Sequence, residues 1–185
     1  MTYNGYDTRY ISGVLQRYER QGIIRRVERG LYLTDTTELT VEEALSSKYL
    51  YGEGHKQIGY VAGEDFEYSI GLRKEKSDRR HLMSNRALNN RISRHSGRIH
   101  RKDLLILVKK PRCEINEENY KIFPALDFLV KFPNHSDRLL APIRKYFEEN
   151  DIKYKDCEPY LDYYRPCVRT KILRIFEIDT EDNIV

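Results

Sequence analysis

Arg9, Ser12, Gln16 and Arg17 recur at the spacing of one helical face, and Arg25, Arg26 and Arg29 follow within a short β-type stretch. The chemistry such residues offer is recognition rather than bond-making. Guanidinium, hydroxyl and carboxamide groups donate to and accept from base edges in a major groove, while arginines on a hairpin meet phosphate oxygens. Arg9, Ser12 and Gln16 are therefore the base-facing candidates, and Arg25, Arg26 and Arg29 the phosphate candidates. The same stretch also reads as an amphipathic helix beside a hairpin with a solvated basic face, and by itself it leaves both readings open.

The elements that must position these residues run from Asp7 to Leu33. Asp7 or Thr8 supplies an N-cap. Tyr10, Ile11, Val14, Leu15 and Tyr18 fall on one helical side and the polar set on the other. Gly22 supplies a left-handed stop. Ile23 to Val27 and Leu31 to Leu33 are predicted strands joined by Glu28-Arg29-Gly30. Helix plus hairpin is the recognition half of a winged helix-turn-helix.

The chain has 185 residues, enough for one full domain or two small ones, and 34% of them are charged. Fifteen tyrosines against six phenylalanines and no tryptophan predict many half-buried rings with hydrogen-bonded hydroxyls. No run of 18 apolar residues and no basic-then-apolar start occurs, so a cytoplasmic protein with no membrane partner is expected. Cys113, Cys157 and Cys167 are dispersed and read as reduced thiols. His95 and His100 are near one another but have no ligand-type residue at coordinating spacing, so neither metal nor cofactor is expected.

The net charge of +4 conceals an asymmetry. Between Arg73 and Arg112 stand fourteen lysines and arginines against three acids, a net of +11, which leaves −7 for the rest of the chain. Arg79, Arg80, Arg94, Arg98, Arg101 and Lys102 form the heart of this block. It calls for a polyanionic partner or an acidic protein surface, with a merely solvated face as the alternative.

Along the remainder, Thr40-Val41-Glu42-Glu43 is a capping box that opens a helix through about Tyr51. Gln57 to Val61 is a predicted strand, and a brief helix runs from Gly63 to Gly71. Arg79 to Ser84, Arg91 to Ser93 and Arg98 to Lys110 are predicted strands, with Ser96-Gly97 as the turn between the last two. Asn116 is expected to cap a helix that Pro124 breaks or restarts near its middle. Asp137 to Asn150 is amphipathic, residues 151 to 159 read as a polar linker, and Arg165 to Ile178 as a final helix with Pro166 in its first turn.

The expected class is α+β: a partial winged helix-turn-helix over residues 1–36, then a mixed α/β domain over 37–185 with a small sheet and C-terminal helices. No nucleophile elbow, P-loop, dinucleotide fingerprint or His-Glu-x-x-His motif is present. The carboxylate pairs Glu42-Glu43 and Glu117-Glu118 sit where helix starts account for them. No catalytic residue is assigned, and enzymatic activity is not expected.

Taken in order, several stretches resemble the AbiEi family, the antitoxins of type IV toxin–antitoxin pairs. They are Gly22-Ile23-Ile24-Arg25-Arg26-Val27-Glu28-Arg29-Gly30-Leu31-Tyr32; Ile58-Gly59-Tyr60 with Gly63 and Gly71-Leu72; Ser84-Asn85-Arg86; Lys110-Pro111-Arg112; Asn119 and Leu126-Asp127; and Tyr164-Arg165-Pro166 with Arg169. The resemblance implies an N-terminal winged helix that represses a bicistronic phage-defence operon by binding inverted repeats in its promoter. It further implies a C-terminal domain that counters a nucleotidyltransferase-like toxin, AbiEii, without a tight complex. Carried over, Arg9, Ser12, Gln16, Arg17, Arg25, Arg26 and Arg29 match the DNA-reading helix and wing, and the basic block lies in the antitoxin domain. A complete winged helix has two helices ahead of its recognition helix, whereas six residues precede Asp7. Either the chain starts further upstream or those helices are absent. Alternatives are a stand-alone regulator, an RNA-binding or RNA-cleaving protein built on residues 73–112, and an interaction domain for an acidic protein.

Overall fold

The first helix, α1 (Thr8–Arg20), begins and ends where its cap residues dictate. The Asp7 carboxylate accepts the Arg9 backbone N–H at 2.9 Å. At the other end Gly22 adopts φ 73°, its N–H reaches the Glu19 carbonyl at 3.1 Å, and the Ile23 N–H reaches that of Tyr18 at 3.0 Å. That pair of bonds is a Schellman closure, for which the left-handed glycine is required. The computed structural model describes residues 2–3, 6–87, 98–101, 104–131 and 137–177. Ahead of α1, where a helix-turn-helix carries helices, stand two short paired strands, β1 (Thr2–Tyr3) and β2 (Tyr6–Asp7). Next come β3 (Ile24–Glu28) and β4 (Leu31–Thr34), an antiparallel hairpin with Gly30 at φ 75° in its turn. A bulge between Arg26 and Glu28 brings both Ile24 and Val27 into the interior and leaves Arg25 and Arg26 exposed.

The chain forms two compact units, Met1–Lys48 and Tyr49–Val185. Helix α2 (Val41–Leu50) straddles that limit, and its start is a complete capping box. The Thr40 backbone N–H donates to the Glu43 carboxylate at 2.8 Å, and the Glu43 N–H donates to Thr40 Oγ1 at 3.2 Å. These bonds hold the Glu43 carboxyl below its ordinary pKa. Lys48, near the other end, fixes the hairpin tip: its Nζ donates to the Arg29 carbonyl at 2.8 Å and pairs with Glu28 at 2.5 Å.

The second unit holds a four-stranded sheet of order β5-β6-β8-β7, made of β5 (Gly59–Ala62), β6 (Arg79–Ser84), β7 (Arg98–Arg101) and β8 (Leu104–Lys109). β6 and β8 run parallel and the other pairs antiparallel. The predicted single strand Arg98 to Lys110 is thus two, with Arg101 opposite Leu104. Apolar alternation shows that a run is extended but does not show that it pairs with itself. The predicted strand Arg91 to Ser93 and the Ser96-Gly97 turn lie outside the described residues. Gly59 is dictated by close approach: a Cβ there would lie 2.5 Å from the Met83 carbonyl oxygen and would also overlap that of Tyr49.

Helix α3 (Glu64–Ser69) follows β5; α4 (Ile122–Lys131), α5 (Asp137–Glu149), α6 (Tyr154–Cys157), a 3-10 segment (Glu158–Tyr163) and α7 (Pro166–Ile175) complete the unit. Pro124 does not interrupt a helix begun at Asn116; it sits in the first turn of α4, where its missing N–H is not needed. The supposed linker 151–159 is largely helical, because Ile152, Cys157 and Leu161 are buried in the core and pull the segment inward. Aromatic rings lock these helices together: Phe66 meets Tyr146 edge-on at 5.1 Å, Phe123 meets Tyr160 at 5.1 Å, and Phe147 stacks on Phe176 at 5.4 Å. Lys171 is buried on α7 and donates to the Leu129 carbonyl at 2.7 Å, satisfying an acceptor in the last turn of α4.

Candidate functional site

In the first unit, helical geometry at about 100° per residue puts Arg9, Ser12, Gly13, Gln16, Arg17 and Arg20 on one side of α1. All six are exposed. The Ser12 hydroxyl donates to the Thr8 carbonyl at 2.9 Å. Arg25, Arg26 and Arg29 are exposed on the hairpin. From Thr8 to Arg29 six arginines face two acids, Glu19 and Glu28, and Glu28 is already paired with Lys48. The opposite side of α1 is apolar, yet none of its residues is fully buried; Tyr10 is 63% exposed and Tyr18 42%. This surface therefore presents a basic, hydrogen-bonding face on a rigid helix next to an arginine-bearing hairpin.

In the second unit, residues far apart in the chain converge on Asp127 of α4. Its carboxylate accepts the Tyr60 hydroxyl at 2.6 Å and the Tyr164 hydroxyl at 2.9 Å, and Arg112 Nε donates to it at 3.4 Å. The Arg112 guanidinium also lies 4.7 Å from the centre of the Tyr164 ring. Burial, followed by the neighbouring carboxylate, pushes both phenols far above the ordinary tyrosine range, so they act as fixed donors. A second network sets the loop leading into α4. Asn85 donates to the Ile115 carbonyl at 2.8 Å and accepts the Ile115 N–H at 2.9 Å, while Asn119 Oδ1 accepts the Asn116 N–H at 2.9 Å.

Beside the Asp127 cluster, the β5-β6-β8 face and α4 enclose a cleft of about 490 Å3. Strand register puts Ala62, His81 and Leu107 in one row, and Tyr60, Met83 and Lys109 in the next. Lys110 and Arg112 follow β8 at one end, and Lys131 comes from α4. Gly63, at φ 67°, lies against His81, whose ring a Cβ would overlap. Burial, then Lys109 and Lys131, hold the His81 imidazole below its ordinary pKa of 6.5, against the opposing pull of Glu64 and Asp65. The unfolded chain thus binds more protons than the folded one as pH falls through 6.5, and stability present above that value declines. Urea midpoints at about pH 7.5 and 5.5 should show a decline in wild type that is smaller in His81→Gln. An equal decline in both would remove His81 from the effect.

The basic-patch residues separate into different situations. Arg79 is exposed, but Arg80 is half-buried and committed to Asp65 at 2.7 Å. Arg73 likewise pairs with Glu64 at 3.2 Å. Part of the block's charge is therefore neutralised inside the unit. Arg98 and Arg101 lie in β7, whereas Arg94, His95 and Lys102 lie outside the described residues. Among the described residues, no group of three or more His, Cys, Asp or Glu is placed to hold a metal ion. No helix there is long and apolar enough to cross a membrane. The Asp127 cluster and His81 were not assigned a role from sequence. For the cluster the signals were the place of its residues in the family-like stretches and, for Asp127, an acid inside the otherwise apolar helix segment Ile122-Phe123-Pro124-Ala125-Leu126-Asp127-Phe128-Leu129-Val130. Comparison of the chain with family models, curated proteins and solved structures finds no match.

Proposed function

We propose that the chain is an antitoxin and DNA-binding repressor of the AbiEi type. In this reading α1 is the recognition helix, β3–β4 is the wing, and the second unit counters a nucleotidyltransferase-like toxin. The observation that carries it is the basic, hydrogen-bonding face of α1, where Arg9, Ser12, Gln16 and Arg17 share one exposed side and the hairpin arginines Arg25, Arg26 and Arg29 are exposed as well. A helix so furnished suits base-edge contacts in a major groove, with the hairpin on phosphate. A further support comes from the family-like motifs of the second unit. Tyr60, Arg112, Asp127 and Tyr164 join in one hydrogen-bonded cluster, and Asn85 and Asn119 organise the loop beside it.

Gly13 provides a direct test. It sits mid-helix at the centre of the polar face, and a Cβ there would meet nothing within 4 Å. A glycine in an exposed helix interior costs about 1 kcal/mol relative to alanine, and among the described residues none packs on Gly13 to offset that. Close approach of a duplex would offset it, since glycine lets the backbone come near a ligand. Gly13→Ala should therefore raise unfolding free energy by about 1 kcal/mol while weakening binding to promoter DNA roughly tenfold. Stabilisation with unchanged DNA binding would show that this face of α1 is not at the groove. The toxin half of the reading is tested by co-expression with a nucleotidyltransferase-like protein encoded next to this chain. Growth should be rescued by the chain, and unrelieved toxicity would leave only the repressor.

A further inference from the structure

We propose that the cleft between the β5-β6-β8 face and α4 binds a small phosphorylated ligand with the size and chemistry of a nucleoside polyphosphate. Four cations border it, Lys109, Lys110, Arg112 and Lys131, with one carboxylate, Asp127, in the lining, and Lys131 is also paired with Glu67 at 2.9 Å. The Asp127 carboxylate is occupied by two tyrosine hydroxyls and Arg112. Among the described residues no carboxylate pairs with Lys109, an exposed lysine at the end of β8. Arg112 is held in place by Asp127, by the Tyr164 ring and by the Tyr163 carbonyl, to which its Nη1 donates at 3.4 Å. A guanidinium fixed in advance loses little freedom on taking up a phosphate oxygen.

The floor differs from the rim. Ala62, Met83, Leu107, Phe128 and Val130 give it an apolar surface beneath the cations. An inorganic anion alone would leave that surface unused, whereas a base or sugar attached to a phosphate chain would cover it. The volume, about 490 Å3, lies within the usual range for small-ligand pockets, roughly 300–1,000 Å3. His81 gives the site its reporter. Burial, then Lys109 and Lys131, lower its imidazole pKa, so a bound anion that offsets those charges should raise it.

The test is calorimetric titration of the full chain with adenosine triphosphate, with inorganic tripolyphosphate and with a single-stranded oligonucleotide, alongside NMR of the His81 imidazole. Wild type should bind the triphosphate saturably at one site, with the His81 pKa rising. Lys109→Glu, at an exposed position, should weaken that binding roughly tenfold or more while the urea midpoint stays close to that of wild type. Tighter binding of the nucleotide than of tripolyphosphate assigns the apolar floor to the nucleoside. Equal binding assigns the cleft to an inorganic phosphate chain and retains the anion site. Absence of saturable binding, or binding unaffected by Lys109→Glu, overturns the proposal. So does affinity for the oligonucleotide alone, which would make the cleft part of a nucleic-acid surface. The α1 and hairpin arginines lie in the other unit, so none of these failures touches the repressor reading.

Discussion

Replacing Asp127 by Ala is expected to destabilise the protein by about 3–5 kcal/mol. The substitution removes the acceptor of two hydroxyls on residues that are only 2% and 8% exposed, Tyr60 and Tyr164. A buried donor left without a partner costs roughly 1–3 kcal/mol. Neither ring can turn outward, because both are packed against Phe123, with centroids 6.1 and 6.2 Å away. The Arg112 contribution is smaller, since its side chain is 43% exposed and surface pairs give roughly 0–1 kcal/mol. Asp127→Asn keeps one acceptor oxygen and should cost about half as much. Urea unfolding of the three proteins measures the differences. An Ala variant within about 1 kcal/mol of wild type would mean that the hydroxyls find water instead.

The second large effect concerns DNA. Changing Arg25, Arg26 and Arg29 together to Ala should weaken promoter binding roughly 10²–10³-fold at about 0.1 M salt. It should also flatten the log–log salt dependence by about three units, about one for each phosphate that an arginine no longer neutralises. The three side chains are exposed, and the hairpin that carries them is fixed by its own ladder and by Lys48. Their removal should therefore act on binding and not on folding. Gln16→Ala or Arg9→Ala should instead relax sequence preference at one base pair by roughly 1–3 kcal/mol, with the salt slope nearly unchanged for the neutral Gln16. An unaltered slope in the triple variant would place those arginines away from the backbone.

What could be read in the sequence were the features written locally. Asp7 and Gly22 bound α1, Gly30 marks the hairpin turn, and Thr40 with Glu43 opens α2, because each acts on backbone groups within a few residues of itself. The mixed α+β class was legible for the same reason. Features decided by distant partners were not. The split between β7 and β8 depends on which strand the run pairs with, and the helical turns around Cys157 depend on burial by the core. Tyr60, Arg112, Asp127 and Tyr164 each fall in a stretch that carries the family resemblance, but nothing local says that they meet; only the packing of α4 against β5 and α7 brings the cluster together. The two short strands ahead of α1 likewise carried no local signal in residues 1–6. Basic residues were visible as a block, but their division into paired Arg73 and Arg80 and cleft-lining Lys109, Lys110 and Arg112 required the sheet.

The central claim is that the face made by α1 and the β3–β4 hairpin reads a specific DNA sequence. Fluorescence anisotropy with the duplex upstream of this protein's own gene, against a scrambled duplex of equal composition, tests it most directly when run at two salt concentrations. The native duplex should bind more tightly, with a preference that survives the higher salt and disappears when Arg9 and Gln16 are replaced. Equal binding to both duplexes that collapses together as salt rises would contradict the claim, leaving a basic surface without sequence recognition.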